Sequence, residues 1–234
     1  SKIWIEKGYS VEFITSPYFK SDIACKKIFE VQNIEGIKLN VINFPDGGNK
    51  SLSKRILNSF CFTSIATLIS LFKSYDLLIC SSGPFTMGIP NLLNILLKRK
   101  GVHVFEIRDI WPQTGIEYKV ITNKIIIRLA YFFEKLQYKY SNFIVTLSEG
   151  QENYIKERFP RFSQKIRTIP QISNKELFNI KVPDAILGEY KNKYGLMFTY
   201  IGGLGPIHNV TYWIQLFSKV NKINKGKFSL VILG

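Results

Sequence analysis

The stretch VHVFEIRDIWPQTGIE, residues 102–117, joins an apolar strand pattern to an abrupt polar ending. Its first six residues predict a strand buried in a parallel sheet. Arg108 and Asp109 follow at once, and Trp111 and Pro112 come directly after them. Because ligands of α/β proteins bind at the carboxyl ends of the strands, we expect Arg108 and Asp109 at the rim of a cleft.

Short apolar runs alternate with longer amphipathic stretches along the whole chain. This alternation predicts an α/β fold in which helices cover both faces of a parallel sheet. The predicted strands are VEFIT, KLNVI, DLLIC, VHVFEI, FIVTL, KIRTIP, MFTYIG and FSLVIL. The predicted helices cover about 52–73, 87–99, 124–140, 149–159 and 208–223.

The polar segment 181–193 interrupts this alternation and predicts a linker between two Rossmann-like domains. Residues 1–180 would form the first domain, without its first strand and the start of its first helix. Residues 194–234 would begin the second domain. The absence of an initiator Met and the apolar strand that runs up to Gly234 lead us to expect truncation at both ends.

Polar or glycine-rich loops follow five of the predicted strands, and in a parallel sheet these loops share one edge. The loops are SSGPF, RDIWP, SEG, PQISN and GGLGPIHN. We expect them to line a cleft, with Ser82, Gly83, Trp111, Ser148 and Glu149 among the residues that face it.

The balance of 32 Lys and Arg against 17 Asp and Glu gives a formal net charge of +15. The expected partners are therefore anionic, and nucleotide phosphates, nucleic acid and acidic lipid all fit. Cys25, Cys61 and Cys80 lie among apolar neighbours without a Cys-x-x-Cys pair, which predicts reduced, buried thiols rather than disulfides or a zinc site.

The two histidines, His103 and His208, are too far apart and too poorly accompanied to predict a metal site. His103 lies within a strand pattern and is expected to be partly buried. The Gly-x-Ser-x-Gly and His-Glu-x-x-His motifs do not occur, which argues against α/β-hydrolase and zincin chemistry.

The loop YIGGLGPIHNVTYW connects a strand to a helix through Gly202, Gly203 and Gly205. Such a loop lets backbone amides approach a phosphate at the helix N-terminus, although it can equally be a tight turn that only packs. His208 stands where a dinucleotide motif has its third glycine, so a nicotinamide cofactor is disfavoured.

Two further pairs of alternatives stay open. Arg108 and Asp109 can form an ion pair that fixes their loop, or they can face a ligand. Pro112 favours an extended Trp111 whose indole fills the cleft wall. The helix at 52–73 carries no charge from Ile56 to Phe72, so it is either a covered core helix or an interfacial helix at a membrane, and 124–140 presents the same choice.

Several of these segments, taken in order, resemble glycosyltransferase family 4, in particular amino-sugar transferases of bacterial O-antigen and capsule clusters. FEIRDIWPQTGIE resembles the family's lEvRDlWPe, and FEKLQYKYSNFIVTLSEGQENYI resembles lErxxYrxAdxivvlSxgmxxyl. EKGYSVEFIT is similar to GHeVtVlT and DLLICSSGPF to DvvxatsPP. TIPQISNKELF is similar to vIPNGvDxxxF, with Gln171 in the asparagine position, and FTYIGGLGPIHNVTYWIQ is similar to vxYaGxlGxaqgLdxli.

The resemblance implies a GT-B fold of two facing Rossmann-like domains and a retaining glycosyltransferase that needs no cofactor and no obligatory metal ion. It implies that Asp109 orients a sugar or acceptor hydroxyl, that Arg108 holds the loop or a phosphate, and that Glu106 supports both. Gly203, Gly205, His208 and Asn209 would bind the donor diphosphate.

The resemblance also suggests the setting of the reaction. The donor would be a nucleotide sugar, expected to be UDP-linked, and the acceptor a saccharide on polyprenyl diphosphate. The enzyme would lie in the cytoplasm, on the anionic inner face of the bacterial plasma membrane. The family's Glu-x₇-Glu pair falls beyond Gly234 and its glycine-rich loop before Ser1, so the chain alone is expected to be inactive.

Two other functions remain open. A nucleic-acid-binding module would use the +15 charge and the aromatic content, but the chain has no recognition-helix, RNP or zinc-finger pattern and its basic residues are scattered, so no nucleic-acid partner is expected. A GT-B nucleotide-sugar epimerase would need acidic residues and histidines in its second domain.

Overall fold

The computed structural model describes residues 2–17, 23–45, 51–83, 85–98, 101–171, 179–205, 208–224 and 228–234. The chain divides into two compact units, Ser1–Gln171 and Ile172–Gly234. The segment 181–193, predicted as a linker, lies within the second unit, and most of it is helical.

The first unit contains seven strands and six α-helices within the residues that the structure describes. The strands are β1 (Glu12–Thr15), β2 (Phe29–Ile34), β3 (Ile37–Ile42), β4 (Leu77–Ser81), β5 (Val102–Ile107), β6 (Phe143–Thr146) and β7 (Ile166–Thr168). The helices are α1 (Lys2–Glu6), α2 (Leu52–Phe72), α3 (Gly88–Lys98), α4 (Gln113–Glu117), α5 (Lys124–Tyr140) and α6 (Glu149–Arg158). Short 3₁₀ turns occur at Phe85–Met87 and Pro160–Lys165.

The larger sheet of this unit has the order β4-β5-β6-β7 and is parallel throughout. Its core is a cluster of apolar side chains from the strands, α5, α6 and the second 3₁₀ turn, and it consists of Cys80, Phe105, Ile107, Tyr138, Ile144, Ile155, Phe162 and Ile166. The α/β class with parallel sheets, predicted from the alternation of strands and helices, is confirmed.

The smaller sheet has the order β1-β3-β2, in which β1 and β3 are parallel and β2 and β3 are antiparallel. The prediction of parallel strands alone was therefore wrong for β2, which the sequence reading also missed. Glu35 and Gly36 form the turn between β2 and β3 with φ of 52° and 80°. Two consecutive residues with positive φ are typical of the two-residue turns that reverse a chain between antiparallel strands.

Three of the helices that follow strands of the larger sheet begin close to the positions that the sequence predicts. Asn123 caps α5 by accepting hydrogen bonds from the amides of Ile125 (2.8 Å) and Ile126 (3.3 Å). Ser148 caps α6 by accepting one from the amide of Gln151 (3.3 Å). These caps satisfy amides that have no partner inside the helix, which fixes where each helix starts.

The second unit has two parallel strands and two helices within its described residues. They are α7 (Asp184–Tyr194), β8 (Leu196–Ile201), α8 (Val210–Ile223) and β9 (Phe228–Leu233). Phe198 of β8 packs edge-on against Phe217 of α8 and Phe228 of β9. A strand, a helix and a second strand parallel to the first form the βαβ unit that α/β domains repeat.

Candidate active site at the ends of strands β4, β5 and β6

Arg108 and Asp109 leave β5 directly at its carboxyl end, as predicted. Both side chains are exposed. In the part of the chain that the structure describes, no ion pair joins them, so the alternative of a fixed Arg108–Asp109 pair finds no support in the geometry. A carboxylate and a guanidinium that are both open to solvent at the end of a parallel strand are placed to meet a ligand.

Ser82, a predicted cleft residue, holds the backbone of this loop. Its amide donates to the carbonyl of Glu106 (2.8 Å), and its hydroxyl accepts from the amide of Arg108 (2.9 Å). Ser82 is buried. The pair of hydrogen bonds continues the β4–β5 ladder past the last strand residue and fixes the point from which the Arg108 and Asp109 side chains project.

Gln151 of α6 supports the same loop from the other side, and the sequence reading missed it. Its side-chain oxygen accepts from the amide of Leu147 (2.9 Å), and its side-chain nitrogen donates to the carbonyl of Arg108 (2.9 Å). Gln151 therefore joins the loop after β6 to the loop after β5. The spacing of Ser148 and Gln151 is that of a capping box, which was the available signal, but the glutamine side chain binds the neighbouring loop instead of the cap residue.

Trp111 forms one wall of a small cavity behind the exposed pair. Its ring lies 6.3 Å from that of Phe85, and the peptide bond between Trp111 and Pro112 is cis. Gly115 lies directly against the indole, since a Cβ at this position would stand 2.3 Å from a ring carbon of Trp111. The indole of Trp111 lines this cavity. Its role in the wall of a ligand-binding cleft stays a prediction.

The cavity has a volume of about 20 Å³, enough for one water molecule. Aromatic side chains make most of its wall, and the polar residues that line it are Ser82, Asp109, Glu134 and Gln137. A space of this volume is large enough for one water molecule and too small for a ligand of several atoms. Asp109 is thus both exposed at the end of β5 and part of the wall of this small, mostly apolar cavity.

Glu134 is the buried carboxyl group of this cavity and was not predicted as a site residue. It is 3% exposed, it accepts a hydrogen bond from the Tyr138 hydroxyl (3.1 Å), and its other oxygen lies 3.5 Å from Nη1 of Arg158. Burial raises the pKa of Glu134 to about 7, against the smaller opposite effects of Arg158 and Tyr138. A carboxyl group with such a pKa is divided between its two protonation states near neutral pH.

The remaining predicted residues of this unit are distributed along the same edge. Glu106 is half-buried on β5, opposite Ser81 and Val145 in the neighbouring strands. Gly83 is exposed after β4. Ser148 and Glu149 are exposed at the start of α6, where Ser148 serves as the helix cap. The structure therefore places the predicted cleft residues of the first unit in the loops after β4, β5 and β6.

The glycine-rich loop lies in the second unit, between β8 and α8. Gly203, Gly205, His208 and Asn209 are all exposed. The imidazole of His208 lies against Gly203, because a Cβ at position 203 would stand 3.1 Å from Nε2 of His208. Helix α8 begins at Val210, after Asn209 in the left-handed conformation, a residue or two later than predicted.

His103 is buried and packs edge-on against Tyr75. Cys80 is buried, and burial raises the pKa of its thiol to about 12, whereas Cys25 and Cys61 are half-exposed, so the prediction of burial was wrong for these two. No group of three or more His, Cys, Asp or Glu side chains that could hold a metal ion occurs in the described ranges.

No family model and no curated protein sequence matches the chain. Among solved structures, it is similar to Anabaena Alr3699/HepE in complex with UDP and glucose, with a TM-score of 0.47 and 11% sequence identity. The similarity covers 83% of this chain and 56% of the HepE chain, so the chain spans little more than half the length of that protein.

Proposed function

We propose that this chain is the acceptor-side part of a retaining glycosyltransferase that uses a nucleotide-sugar donor. The observation that supports this most is the pair Arg108 and Asp109, exposed at the end of β5 within the motif that resembles family 4 transferases. Ser82 and Gln151 each make one hydrogen bond to the backbone of Arg108, and the amide of Ser82 makes a third to the carbonyl of Glu106. Such bracing positions reacting groups before a substrate arrives.

In the proposed reaction the bond between the anomeric carbon and the donor phosphate breaks, and a bond to the acceptor oxygen forms on the same face of the sugar. The acceptor proton passes to the departing phosphate oxygen. Asp109 accepts a hydrogen bond from the acceptor hydroxyl and orients it, while Arg108 offers its positive charge to a phosphate. Glu106 supports this loop through its carbonyl, which accepts from the amide of Ser82.

The donor would bind at Gly203, Gly205, His208 and Asn209 of the second unit, through loop amides and the N-terminus of α8. We propose a UDP-linked donor, no cofactor and no obligatory metal ion. For the acceptor we propose a saccharide on polyprenyl diphosphate, of the kind used for bacterial O-antigen or capsule, with the protein at the cytoplasmic face of the plasma membrane.

The test is transfer of labelled sugar from a panel of UDP-sugars to polyprenyl-diphosphate-linked acceptors. It is carried out with the full-length protein. We expect product that retains the anomeric configuration and that forms equally in the presence of EDTA. Sugar product that appears without any acceptor would instead indicate an epimerase.

The Asp109→Asn variant tests the role of the carboxylate. We expect roughly a tenfold or larger loss of kcat, because a neutral amide of the same shape orients the acceptor hydroxyl through a weaker hydrogen bond than the carboxylate does. Asp76→Asn is the matched control, since Asp76 is also exposed but precedes β4 at the opposite edge of the same sheet. Equal activity of Asp109→Asn and the unsubstituted protein would overturn the assignment.

A further inference from the structure

Helix α2 has its polar side chains inside the protein and its large apolar side chains outside. The inner face carries Ser59, Thr63, Ala66, Thr67 and Ser70, all buried. The outer face carries Ile56, Leu57, Phe60, Leu68 and Phe72, all exposed, with Phe72 reaching 88%. This is the reverse of the arrangement that a helix on the surface of a water-soluble domain normally shows.

The inner face is held by specific hydrogen bonds. Ser59 and Thr63 contact the hydroxyl of Thr86 in the first 3₁₀ turn at 2.8 and 3.0 Å. Ser70 accepts a hydrogen bond from the side chain of Asn94 in α3 (2.7 Å). These hydrogen bonds to Thr86 and Asn94 fix the hydroxyl-bearing face of α2 towards the protein interior. The apolar face of α2 therefore points outwards.

Helix α5, which contacts α3 as α2 does, has the same arrangement of buried polar and exposed apolar side chains. Its inner residues include Glu134, Gln137 and Tyr138, all nearly fully buried, whereas Ile125, Leu129 and Phe132 are exposed. The two helices that contact α3, α2 and α5, thus both have apolar outer faces. Single exposed apolar residues are ordinary, but helix faces with this many exposed apolar side chains mark an interaction surface.

The outer face of α2 also contains an open groove of about 610 Å³. Phe44, Ile56, Leu57, Phe60, Cys61 and Ile65 supply its apolar lining. The groove is wide and shallow on the helix surface, and its walls are hydrocarbon. It can accept aliphatic chains without any hydrogen-bonding group being left unsatisfied.

The exposed charged side chains that α2 and α5 themselves carry are all positive. Helix α2 contains no Asp or Glu, and Lys54 and Arg55 are exposed in its first turn. The one acidic residue of α5, Glu134, is buried, while Lys124 and Arg128 are exposed near its start. Apolar helix faces with exposed cations near the start of each helix are complementary to a bilayer that contains anionic phospholipid.

We infer that the outer faces of α2 and α5, here called the α2–α5 face, bind the surface of an anionic phospholipid bilayer. The segment Ser53–Phe72 is long and apolar enough to cross a membrane, but the bonds from its inner face to α3 and to Thr86 keep it part of the folded unit. It therefore lies along the interface, with the apolar groove among the acyl chains and the cations at the headgroups. This inference deepens the proposed function, since it rests on a lipid-linked acceptor for its biological setting.

The experiment is sedimentation of the whole chain with vesicles of phosphatidylcholine alone and of phosphatidylcholine mixed equally with phosphatidylglycerol. We expect binding to the mixed vesicles, weakened by added salt, and roughly tenfold or more weaker binding by the double variant Leu57→Gln/Phe60→Gln. Both side chains are exposed, so this variant should fold. Leu187→Gln/Ile223→Gln, two exposed apolar residues of the second unit, is the control and should bind like the unsubstituted chain.

The inference is overturned if the chain ignores both kinds of vesicle, or if Leu57→Gln/Phe60→Gln binds as the unsubstituted chain does. It is also overturned if the unsubstituted chain is dimeric in sedimentation equilibrium and this variant is monomeric, because a second copy would then cover the face. Asp109→Asn should bind vesicles normally. Failure of sugar transfer with intact vesicle binding would count against the proposed function alone.

Discussion

The carboxyl group of Glu134 is buried, and burial disfavours its charged form. The free energy of unfolding therefore depends on pH. The pKa of Glu134 is raised from 4.5 to about 7 because the side chain is buried. The folded protein therefore holds the proton more tightly than the unfolded chain. The stability that this group contributes is complete below the unfolded pKa of 4.5 and is lost as the pH rises through about 7.

We predict that the free energy of unfolding of the unsubstituted chain falls by about 2–3 kcal/mol more than that of Glu134→Gln between about pH 5 and about pH 8. Glutamine keeps the size of the side chain and does not titrate. Urea unfolding at the two pH values measures the difference. Glu157→Gln, an exposed position in α6, is the control, and a difference as large for this control would refute the assignment to Glu134.

Gly115 is required by its contact with Trp111. A methyl group at this position would overlap the indole at 2.3 Å from a ring carbon, and the glycine is buried. We predict that Gly115→Ala destabilises the protein by about 1–3 kcal/mol and displaces the indole, which near-ultraviolet circular dichroism and tryptophan fluorescence would detect. Gly188→Ala in α7, where the added methyl group meets nothing within 4 Å, should be neutral or slightly stabilising.

At the scale of elements, a buried polar network joins α3 to α5. The amide nitrogen of the Asn91 side chain donates to Gln137 (3.0 Å) and to Ser141 (3.0 Å), and the Gln137 side chain donates to the carbonyl of Gly88 (2.7 Å). Asn91 and Gln137 are almost completely buried. The two helices are therefore held in register by directional bonds as well as by apolar contact.

We predict that Asn91→Leu and Gln137→Leu each lower the free energy of unfolding by about 2–3 kcal/mol, because each leaves a buried partner without its hydrogen bond. The double variant should lose clearly less than the sum, since both members of the Asn91–Gln137 bond are then apolar. Chemical denaturation of the four proteins completes the cycle. Strict additivity would show that the two side chains do not act as a pair.

At the scale of the whole molecule, burial is unequal between the units. The apolar core cluster lies entirely in the first unit, and no described residue of the second unit is classed as buried. Segments with few buried contacts open locally at low free-energy cost.

Limited trypsin digestion should therefore cleave first in the second unit, at exposed sites such as Lys181, Lys191 or Lys193, and leave a resistant product that contains β4 to β7. Mass spectrometry of the early products identifies the cut. An earliest cut between β4 and β7 would contradict this expectation.

The elements of the chain were largely predictable because their signals are local. Strand and helix periodicity placed eight of the nine strands described, together with α2, α3, α5, α6 and α8, within a few residues. Arg108 and Asp109 were placed at the strand edge for the same reason, since the apolar run ends directly before them. By contrast, β2 was missed because its sequence, FEVQNI, has polar residues at half of its positions and is mostly exposed, so it lacks the apolar run that marked the other strands.

What the sequence by itself determined was the α/β class, the run of its main elements and the side of the sheet on which the polar loops meet. The tertiary structure alone decided which face of α2 and α5 points outwards, that Gln151 joins two loops, and that Glu134 shares a cavity with Asp109. Those features depend on contacts between residues far apart in the chain. Local periodicity shows that a helix has two faces, but only the packing against α3 shows that the polar face is the buried one.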